Sequence, residues 1–304
     1  MRAAFLGTPA ASVPSLAALG GIADIVLVVT QPDAAKGRSS KPVPPALKVA
    51  ATQWGLPVAQ PQSHRELTGA LSGADLDIAV VVAYGRILRP AALESTRLGF
   101  VNVHFSLLPR WRGAAPVERA ILAGDARTGV TLMLLDEGMD TGPLLGAVET
   151  EITDDETGGS LTGRLAYDGA RLLSHVLPEY ARGRVHPAPQ MEGGATHAAR
   201  LETLEAQIIS DTSAAMALRM IRAFNPRPGA WCIIDGVRTK VWSAEAAVAP
   251  VSEGGIDIVD GAPVLGLAGG ALTLTRLQPA GKRSLSGLEW ANGRHGASAR
   301  LTAP

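Results

Sequence analysis

Continuous apolar runs divide the first part of the chain into short strand-like segments. The runs occupy residues 2–6, 25–29, 77–83, 100–105 and 130–135. Patterns typical of helices lie between several of them, at residues 12–19, 46–54, 90–97 and 116–123. Buried strands that alternate with helices are typical of a parallel sheet covered on both faces. The pattern therefore predicts an α/β fold with an open, mostly parallel sheet and helices on both faces.

The pattern changes after about residue 185. Residues 186–204 carry prolines and a Gly-Gly pair and are predicted to form a linker, and an amphipathic helix follows over 210–224. Short apolar segments separated by tight turns then occupy residues 230–234, 238–242, 255–259, 263–267 and 271–277. About five such strands indicate a small, OB-like β-barrel. We predict a catalytic domain over residues 1–185 and a C-terminal barrel over 205–304.

Composition and charge exclude several classes of protein. Acidic and basic residues number 28 each, which argues against a strongly basic nucleic-acid coat but allows a local basic path. Cys232 is the one cysteine, which rules out an intrachain disulfide and a cysteine-rich zinc site. The six histidines lack the spacing of metal ligands, so no metal site is expected. Neither a signal peptide nor a membrane span is predicted, which favours a cytoplasmic protein.

The first strand is not followed by a nucleotide-binding motif. Gly7-Thr8-Pro9 lacks the second and third glycines that close approach to a pyrophosphate requires, and no phosphate-binding Gly-rich loop ending in Lys-Ser or Lys-Thr is present. A nucleotide cofactor is therefore not expected.

Two polar residues share one face at the end of a predicted strand. Asn102 and His104 are two positions apart, so their side chains point the same way. Pro109 follows and cannot continue the strand ladder. The end of a strand is where open α/β sheets place their sites. Further along, Asp140 lies in a Gly-Met-Asp-Thr-Gly turn.

An amide, an imidazole and a carboxylate suit acyl transfer to an amine. The tetrahedral oxyanion of that reaction needs a hydrogen-bond donor, which an amide or an imidazolium can supply. Histidine can move the protons near neutral pH, and a carboxylate beside it favours the charged ring and fixes its orientation. The residue types alone favour a structural interpretation, in which the amide fixes a turn, the histidine lies in the core and the aspartate caps a loop.

The order of the motifs changes that balance. Residues 102–116, Asn-Val-His-Phe-Ser-Leu-Leu-Pro-Arg-Trp-Arg-Gly-Ala-Ala-Pro, resemble the signature of the folate-dependent formyltransferases, which have a Rossmann-like catalytic domain. Further blocks resemble the same family in the right order, at residues 7–9, 30–33, 82–85 and 138–142. Residues 224–231 and 277–283 resemble a C-terminal domain found in the family, so the resemblance covers nearly the whole chain.

The resemblance implies a reaction and a set of site residues. It implies transfer of formyl from 10-formyltetrahydrofolate to the α-amino group of methionine on initiator methionyl-tRNA, as a step of translation initiation, by a monomer. Asn102 and protonated His104 would hold the oxyanion, His104 would also relay a proton towards the folate nitrogen, and Asp140 would orient His104. The segment associated with the folate is Ser106, Leu107, Leu108 and Pro109.

The resemblance also implies two contacts with tRNA. The loop at residues 31–45 matches the insertion that reaches the acceptor end, and its basic residues are Lys36, Arg38 and Lys41. The C-terminal barrel would be a second tRNA platform, although its excess of basic over acidic residues is slight. One departure is Ala199-Arg200, where the family usually has Pro-Lys; this keeps the charge but puts a lysine-specific contact in doubt.

Four other functions remain open from the sequence. Glycinamide ribonucleotide formyltransferase and sugar-nucleotide formyltransferases use the same trio with small amine acceptors. A formyltetrahydrofolate hydrolase would use it with water. A catalytically inactive RNA-binding module is the fourth alternative, which the intact trio disfavours.

Overall fold

A computed structural model describes residues 1–35, 41–191 and 193–302, and the chain divides into two compact units. Unit 1 comprises Met1–Pro116, Arg127–Glu151 and Thr162–Ala198. Unit 2 comprises Val117–Ala126, Ile152–Leu161 and the chain from Ala199 onward. Unit 2 therefore includes two short segments from the predicted catalytic domain over residues 1–185, which the sequence analysis did not anticipate. The domain boundaries at residues 185 and 205 remain a prediction.

Unit 1 contains the strands and helices of the first part of the chain. The strands are β1 (Arg2–Gly7), β2 (Asp24–Val29), β3 (Ala34–Ala35), β4 (Pro42–Val43), β5 (Val58–Ala59), β6 (Ile78–Val82), β7 (Phe100–His104), β8 (Arg112–Gly113), β9 (Arg127–Leu134), β10 (Leu144–Glu151) and β11 (His197–Ala198). The helices are α1 (Val13–Gly20), α2 (Ala46–Gln53), α3 (His64–Ser72), α4 (Pro90–Leu93), α5 (Pro116–Ala123) and α6 (Gly158–Ala181), of which α5 and α6 extend across the division between the units.

One seven-stranded sheet organises unit 1, in the order β10-β9-β7-β6-β1-β2-β5. The pairs from β7 to β5 are parallel, whereas β9 runs antiparallel to both β7 and β10. The chain extends the sheet from β1 to β2 and β5, and then returns to add β6 and β7 on the other side. The predicted open, mostly parallel sheet is confirmed. The carboxyl edge beside such a reversal is where α/β sheets bind ligands.

Burial of the strands explains their continuous apolar runs. All residues of β6 are buried, and one core cluster joins β1, β2 and β6 to α3 and α4 through residues that include Leu6, Val29, Leu67, Leu71 and Phe100. Helix α4 ends at Leu93, four residues before the predicted end of the helical pattern.

The sequence analysis did not predict α6, which spans 24 residues. Its first two residues are glycines and Pro178 lies within it, and both residue types usually interrupt helices. The helix approaches β7 closely at Gly169, where an added Cβ would lie 2.7 Å from Val103 Cγ1. Glycine is therefore needed there for packing.

Unit 2 is a nearly closed antiparallel barrel with two helices. Its strands are β12 (Trp231–Ile234), β13 (Val237–Ala247), β14 (Gly255–Val259), β15 (Ala262–Leu267), β16 (Gly270–Pro279), β17 (Leu285–Ser286) and β18 (Ala299–Arg300), and its helices are α7 (Ala214–Ala223) and α8 (Gly287–Asn292). The sheet order is β12-β13-β16-β15-β14-β18, with β17 on β16. An antiparallel bridge from Ile234 to Leu301 joins the two ends, and this confirms the predicted barrel.

The core of unit 2 and one ion pair bring its separate segments together. Helix α7 begins after the Ser213 cap, later than predicted, and packs with Phe224, Trp231 and Leu272 in one core cluster. In the segment 117–126, Arg119 forms an ion pair with Glu205, with 2.6 Å between Nη1 and Oε2. Among the helices of the described residues, none is long and apolar enough to cross a membrane.

Candidate active site

The structure brings Asn102, His104 and Asp140 together. Asn102 and His104 lie in the last three residues of β7, and Asp140 lies in the loop between β9 and β10. The Asn102 amide Nδ2 donates to Asp140 Oδ1 at 3.3 Å, and His104 Nδ1 lies 3.6 Å from Asp140 Oδ2. The carboxylate therefore lies within reach of both of the other two side chains.

The Asp140 carboxylate is largely buried and has a third neighbour. Its side chain is 14% exposed, and Oδ2 accepts a hydrogen bond of 2.8 Å from the backbone N–H of Gly113. The backbone of Asp140 has a φ of +53°, in the left-handed region that aspartate tolerates better than most residues. A carboxylate removed from water needs such donors, because an unpaired buried charge is costly.

His104 is buried and both of its ring nitrogens face acceptors. Nε2 lies 2.8 Å from the backbone carbonyl oxygen of Trp111, which can only accept, so Nε2 carries a proton. Nδ1 faces the Asp140 carboxylate. A singly protonated ring can donate to one of these acceptors, and an imidazolium can donate to both. Trp111 itself has a φ of +62°, in the left-handed region that non-glycine residues rarely adopt.

The loop after β7, residues 106–109, is held from inside the protein. Ser106, Leu108 and Pro109 are buried and Leu107 is half-buried. The hydroxyl of Thr131 on β9 donates to the Ser106 carbonyl oxygen at 2.7 Å and accepts from the Leu108 N–H at 3.1 Å. The side chains of this loop are therefore mostly turned away from solvent, and its backbone is held in a fixed position.

The basic residues of the 31–45 loop are placed only in part. Lys41 is exposed immediately before β4. Lys36 and Arg38 lie outside the described residues, so their predicted contact with tRNA stays a prediction.

Sequence reasoning missed several groups of the site. The Gly113 N–H and the Trp111 carbonyl are backbone groups, which a motif of side chains does not reveal. Thr131 and Gln190 are distant in sequence, and Gln190 falls in the predicted linker, where its side chain donates to the Asp140 carbonyl oxygen at 2.8 Å. No pattern in a single sequence marks these residues.

Potential metal ligands do not cluster in the described part of either unit. Over residues 1–35, 41–191 and 193–302, no group of three or more His, Cys, Asp or Glu side chains is arranged to hold a metal ion.

Comparison with known proteins assigns the family. Residues 1–177 match the formyl transferase family and residues 200–295 match the formyl transferase C-terminal domain. Methionyl-tRNA formyltransferase of Halorhodospira halophila (strain DSM 244 / SL1) is 44% identical over 306 aligned residues, which cover 96% of each chain. The chain therefore belongs to the formyl transferase family, among the relatives of methionyl-tRNA formyltransferase.

Solved structures share the fold at low sequence identity. HypX from Aquifex aeolicus, in complex with tetrahydrofolic acid, has a TM-score of 0.66 and 16% identity; the alignment covers 96% of this chain and 47% of HypX. This chain thus spans about half the length of HypX. The N-formyltransferase from Helicobacter canadensis, in complex with folinic acid and dTDP-3-aminofucose, has a TM-score of 0.68 and 18% identity, with coverage of 92% and 99%.

The two buried threonines of β9 give a test of how the 106–109 loop is held. Thr131→Val removes a hydroxyl that bonds two backbone groups of the loop, so the free energy of unfolding should fall by about 1–3 kcal/mol. Thr128→Val is the matched control, because the buried Thr128 hydroxyl has no hydrogen-bond partner among the described residues. Chemical denaturation measures both variants, and equal losses would contradict the role of Thr131.

Proposed function

We propose that this protein transfers the formyl group of 10-formyltetrahydrofolate to the α-amino group of methionine on initiator methionyl-tRNA, giving N-formylmethionyl-tRNA. The observation that carries the proposal is the trio: an amide and an imidazole on one strand face, both beside a buried carboxylate. The 44% identity to a methionyl-tRNA formyltransferase supports the choice of acceptor. The proposal includes action in the cytoplasm, as a monomer.

The chemistry assigns each member of the trio a task. The amine attacks the formyl carbon, so that a carbon–nitrogen bond forms and the carbonyl electrons move to oxygen. The Asn102 amide uses one N–H for Asp140 and has a second N–H for this oxyanion. Collapse of the intermediate breaks the bond to the folate nitrogen, which must gain the proton that the amine loses.

His104 is the group proposed to relay that proton. Its Nε2–H points at the Trp111 carbonyl oxygen in this structure. To reach the substrate, this donor must exchange the carbonyl for the oxyanion, for the leaving nitrogen or for a water between them. Hydrogen bonds in ligand-free sites commonly rearrange in this way when substrate binds. The Asp140 carboxylate beside Nδ1 stabilises the ring while it is charged.

The folate is proposed to bind along the loops at the ends of β6 and β7. The Ser106–Pro109 loop, which Thr131 holds in place, would form one wall of that site. Tyr84, just after β6, offers a polar atom for a ligand: its hydroxyl is buried without a hydrogen-bond partner in the described part of the chain. Such an orphaned group fits a site that a ligand completes. Two proteins of the same fold hold a tetrahydrofolate and folinic acid.

The outer face of β13 in the barrel is proposed as a contact with tRNA. Arg238 lies over the Trp231 ring, with Cζ 3.9 Å from its centroid, and Lys240 Nζ lies 5.0 Å from the Trp242 ring. Burial, together with the positive charges of Arg238 and Arg227, lowers the pKa of Lys240. Crowded cations beside aromatic rings suit a polyanion, which would relieve their repulsion.

A direct assay tests the proposed reaction. Purified protein and 10-formyltetrahydrofolate are combined with initiator methionyl-tRNA, elongator methionyl-tRNA, glycinamide ribonucleotide or an amino-sugar nucleotide. We expect formyl transfer to initiator methionyl-tRNA alone. Transfer only to a small amine would keep the chemistry of the trio and refute the acceptor, and release of formate without an acceptor would indicate a hydrolase.

Truncation of the trio should stop the chemical step. Asn102→Ala removes an oxyanion donor and should lower kcat by about 10²–10³-fold. Asp140→Ala should also lower kcat strongly, because His104 and Asn102 both lose their shared partner. The same assay measures both, with Asn292→Ala on α8 as an exposed amide control. Near-normal kcat in a folded Asn102 or Asp140 variant would disprove the assigned roles.

The β13 face predicts a distinct change in tRNA use. Arg238→Ala should raise KM for methionyl-tRNA several-fold and reduce the slope of log affinity against log salt by about one, while KM for folate stays constant. Arg65→Ala, at an exposed position of α3, is the matched control for loss of one positive charge. Unchanged salt dependence in Arg238→Ala would exclude a phosphate contact at this residue.

A further inference from the structure

The segment predicted as a linker is tied to both loops that form the active site. Towards the end of this segment, strand β11 pairs in parallel with β8, so that His197–Ala198 lies beside Arg112–Gly113. At its start, Ala188 exchanges two backbone hydrogen bonds, of 2.7 and 2.9 Å, with Leu144 at the beginning of β10. Between these two anchors lies Gln190, which is half-buried. The segment therefore runs from the Asp140 loop to the loop that follows His104.

The Gln190 side chain connects these two loops through four hydrogen bonds. Its Nε2 donates to the carbonyl oxygens of Asp140 at 2.8 Å and of Gly142 at 2.9 Å. Its Oε1 accepts from Arg112 Nε at 3.1 Å and Nη2 at 2.6 Å. The orientation of the amide follows from these partners, because two carbonyls can only accept and a guanidinium can only donate.

The hydrogen bonds of Gln190 lie next to the Asp140 carboxylate and to one of its donors. Asp140 has a φ of +53°, and Gln190 holds the carbonyl of that same residue. Arg112, on the other side of the amide, immediately precedes Gly113, whose N–H donates to Asp140 Oδ2 at 2.8 Å. The backbone of Asp140 and one donor to its carboxylate are thus both fixed through a single side chain.

We infer that Gln190 is a positioning residue for the transfer reaction: it holds the Asp140 loop against Arg112–Gly113, so that the carboxylate meets Asn102 and His104. Gln190 is not proposed to touch the substrates. The inference rests on the proposed formyl transfer. Its effect should appear in kcat more than in KM, because a small displacement of a catalytic group lowers the rate steeply while binding persists.

Two substitutions separate the tasks of the amide. Gln190→Glu keeps an acceptor for Arg112 but places a carboxylate against the carbonyl oxygens of Asp140 and Gly142. Gln190→Leu removes both interactions. If the two donor bonds matter, both variants should lose about tenfold or more in kcat, with KM for folate and tRNA within about twofold of wild type. Chemical denaturation of both variants shows that the protein remains folded.

A double-mutant cycle shows whether Gln190 acts through Asp140. Formyl transfer is measured under single-turnover conditions for Asp140→Asn and for Asp140→Asn combined with Gln190→Leu. We expect the second substitution to cost little once the carboxylate is gone, because residues that act as a unit are non-additive.

Four results would overturn the inference. Wild-type kcat in Gln190→Glu with loss in Gln190→Leu would show that only the pairing with Arg112 matters. A full multiplicative loss in the double variant would show that Gln190 acts elsewhere. Absence of formyl transfer by the wild-type protein would refute the proposed function and this inference with it, whereas active wild type with undiminished variants would refute the inference alone.

Discussion

The candidate active site depends on one buried carboxylate that must be paired. Asp140 cannot lie largely out of water without donors, and the protein supplies two from separate segments: the Asn102 amide from β7 and the Gly113 N–H from β8. The His104 ring, also on β7, lies 3.6 Å from the same carboxylate. Each partner also has a use in the proposed reaction, as an oxyanion donor, a proton carrier or a fixed support. The need to satisfy the charge and the need to place the proposed catalytic groups therefore produce the same arrangement.

The sheet makes that arrangement possible. Strand β7 carries the amide and the imidazole on one face because alternate residues of a strand point the same way. The neighbouring β9 supplies Thr131, which pairs with His104 in the ladder and holds the loop that follows it. Rigid strands thus fix the two groups, while loops with left-handed residues at Trp111 and Asp140 complete the site.

The sequence predicted the parts of this structure that depend on local patterns. The apolar runs indicated the buried strands, and Pro116 indicated the start of α5. Helix α6 was not predicted; its two initial glycines and Pro178 are residue types that usually interrupt helices. The barrel was predicted from its short apolar segments and tight turns. Strand β13 nevertheless extends to Ala247, beyond the predicted end of that strand at residue 242.

Local patterns likewise predicted only some of the relations among the residues of the candidate site. Alternation predicted that Asn102 and His104 share a face. Asp140 was chosen for its carboxylate and its turn, and no local pattern placed it beside the other two. Strand β9 runs antiparallel to β7, so the loop that bears Asp140 begins beside Phe100, where the Leu135 N–H donates to the Phe100 carbonyl oxygen at 2.8 Å. Rules for parallel strands do not predict how such a loop reaches Asn102. Gln190 was assigned to a linker, because its partners lie 48 to 78 positions away in the chain.

The central claim is that the His104 ring is held between the Trp111 carbonyl and the Asp140 carboxylate. NMR of protein labelled with ¹⁵N in its histidine rings, compared between wild type and Asp140→Asn, tests this most directly. We expect a protonated Nε2 whose proton exchanges slowly with water, and a shift of the His104 signals on loss of the carboxylate. An Nε2 proton that exchanges rapidly with water, together with His104 signals that do not change in Asp140→Asn, would contradict the account.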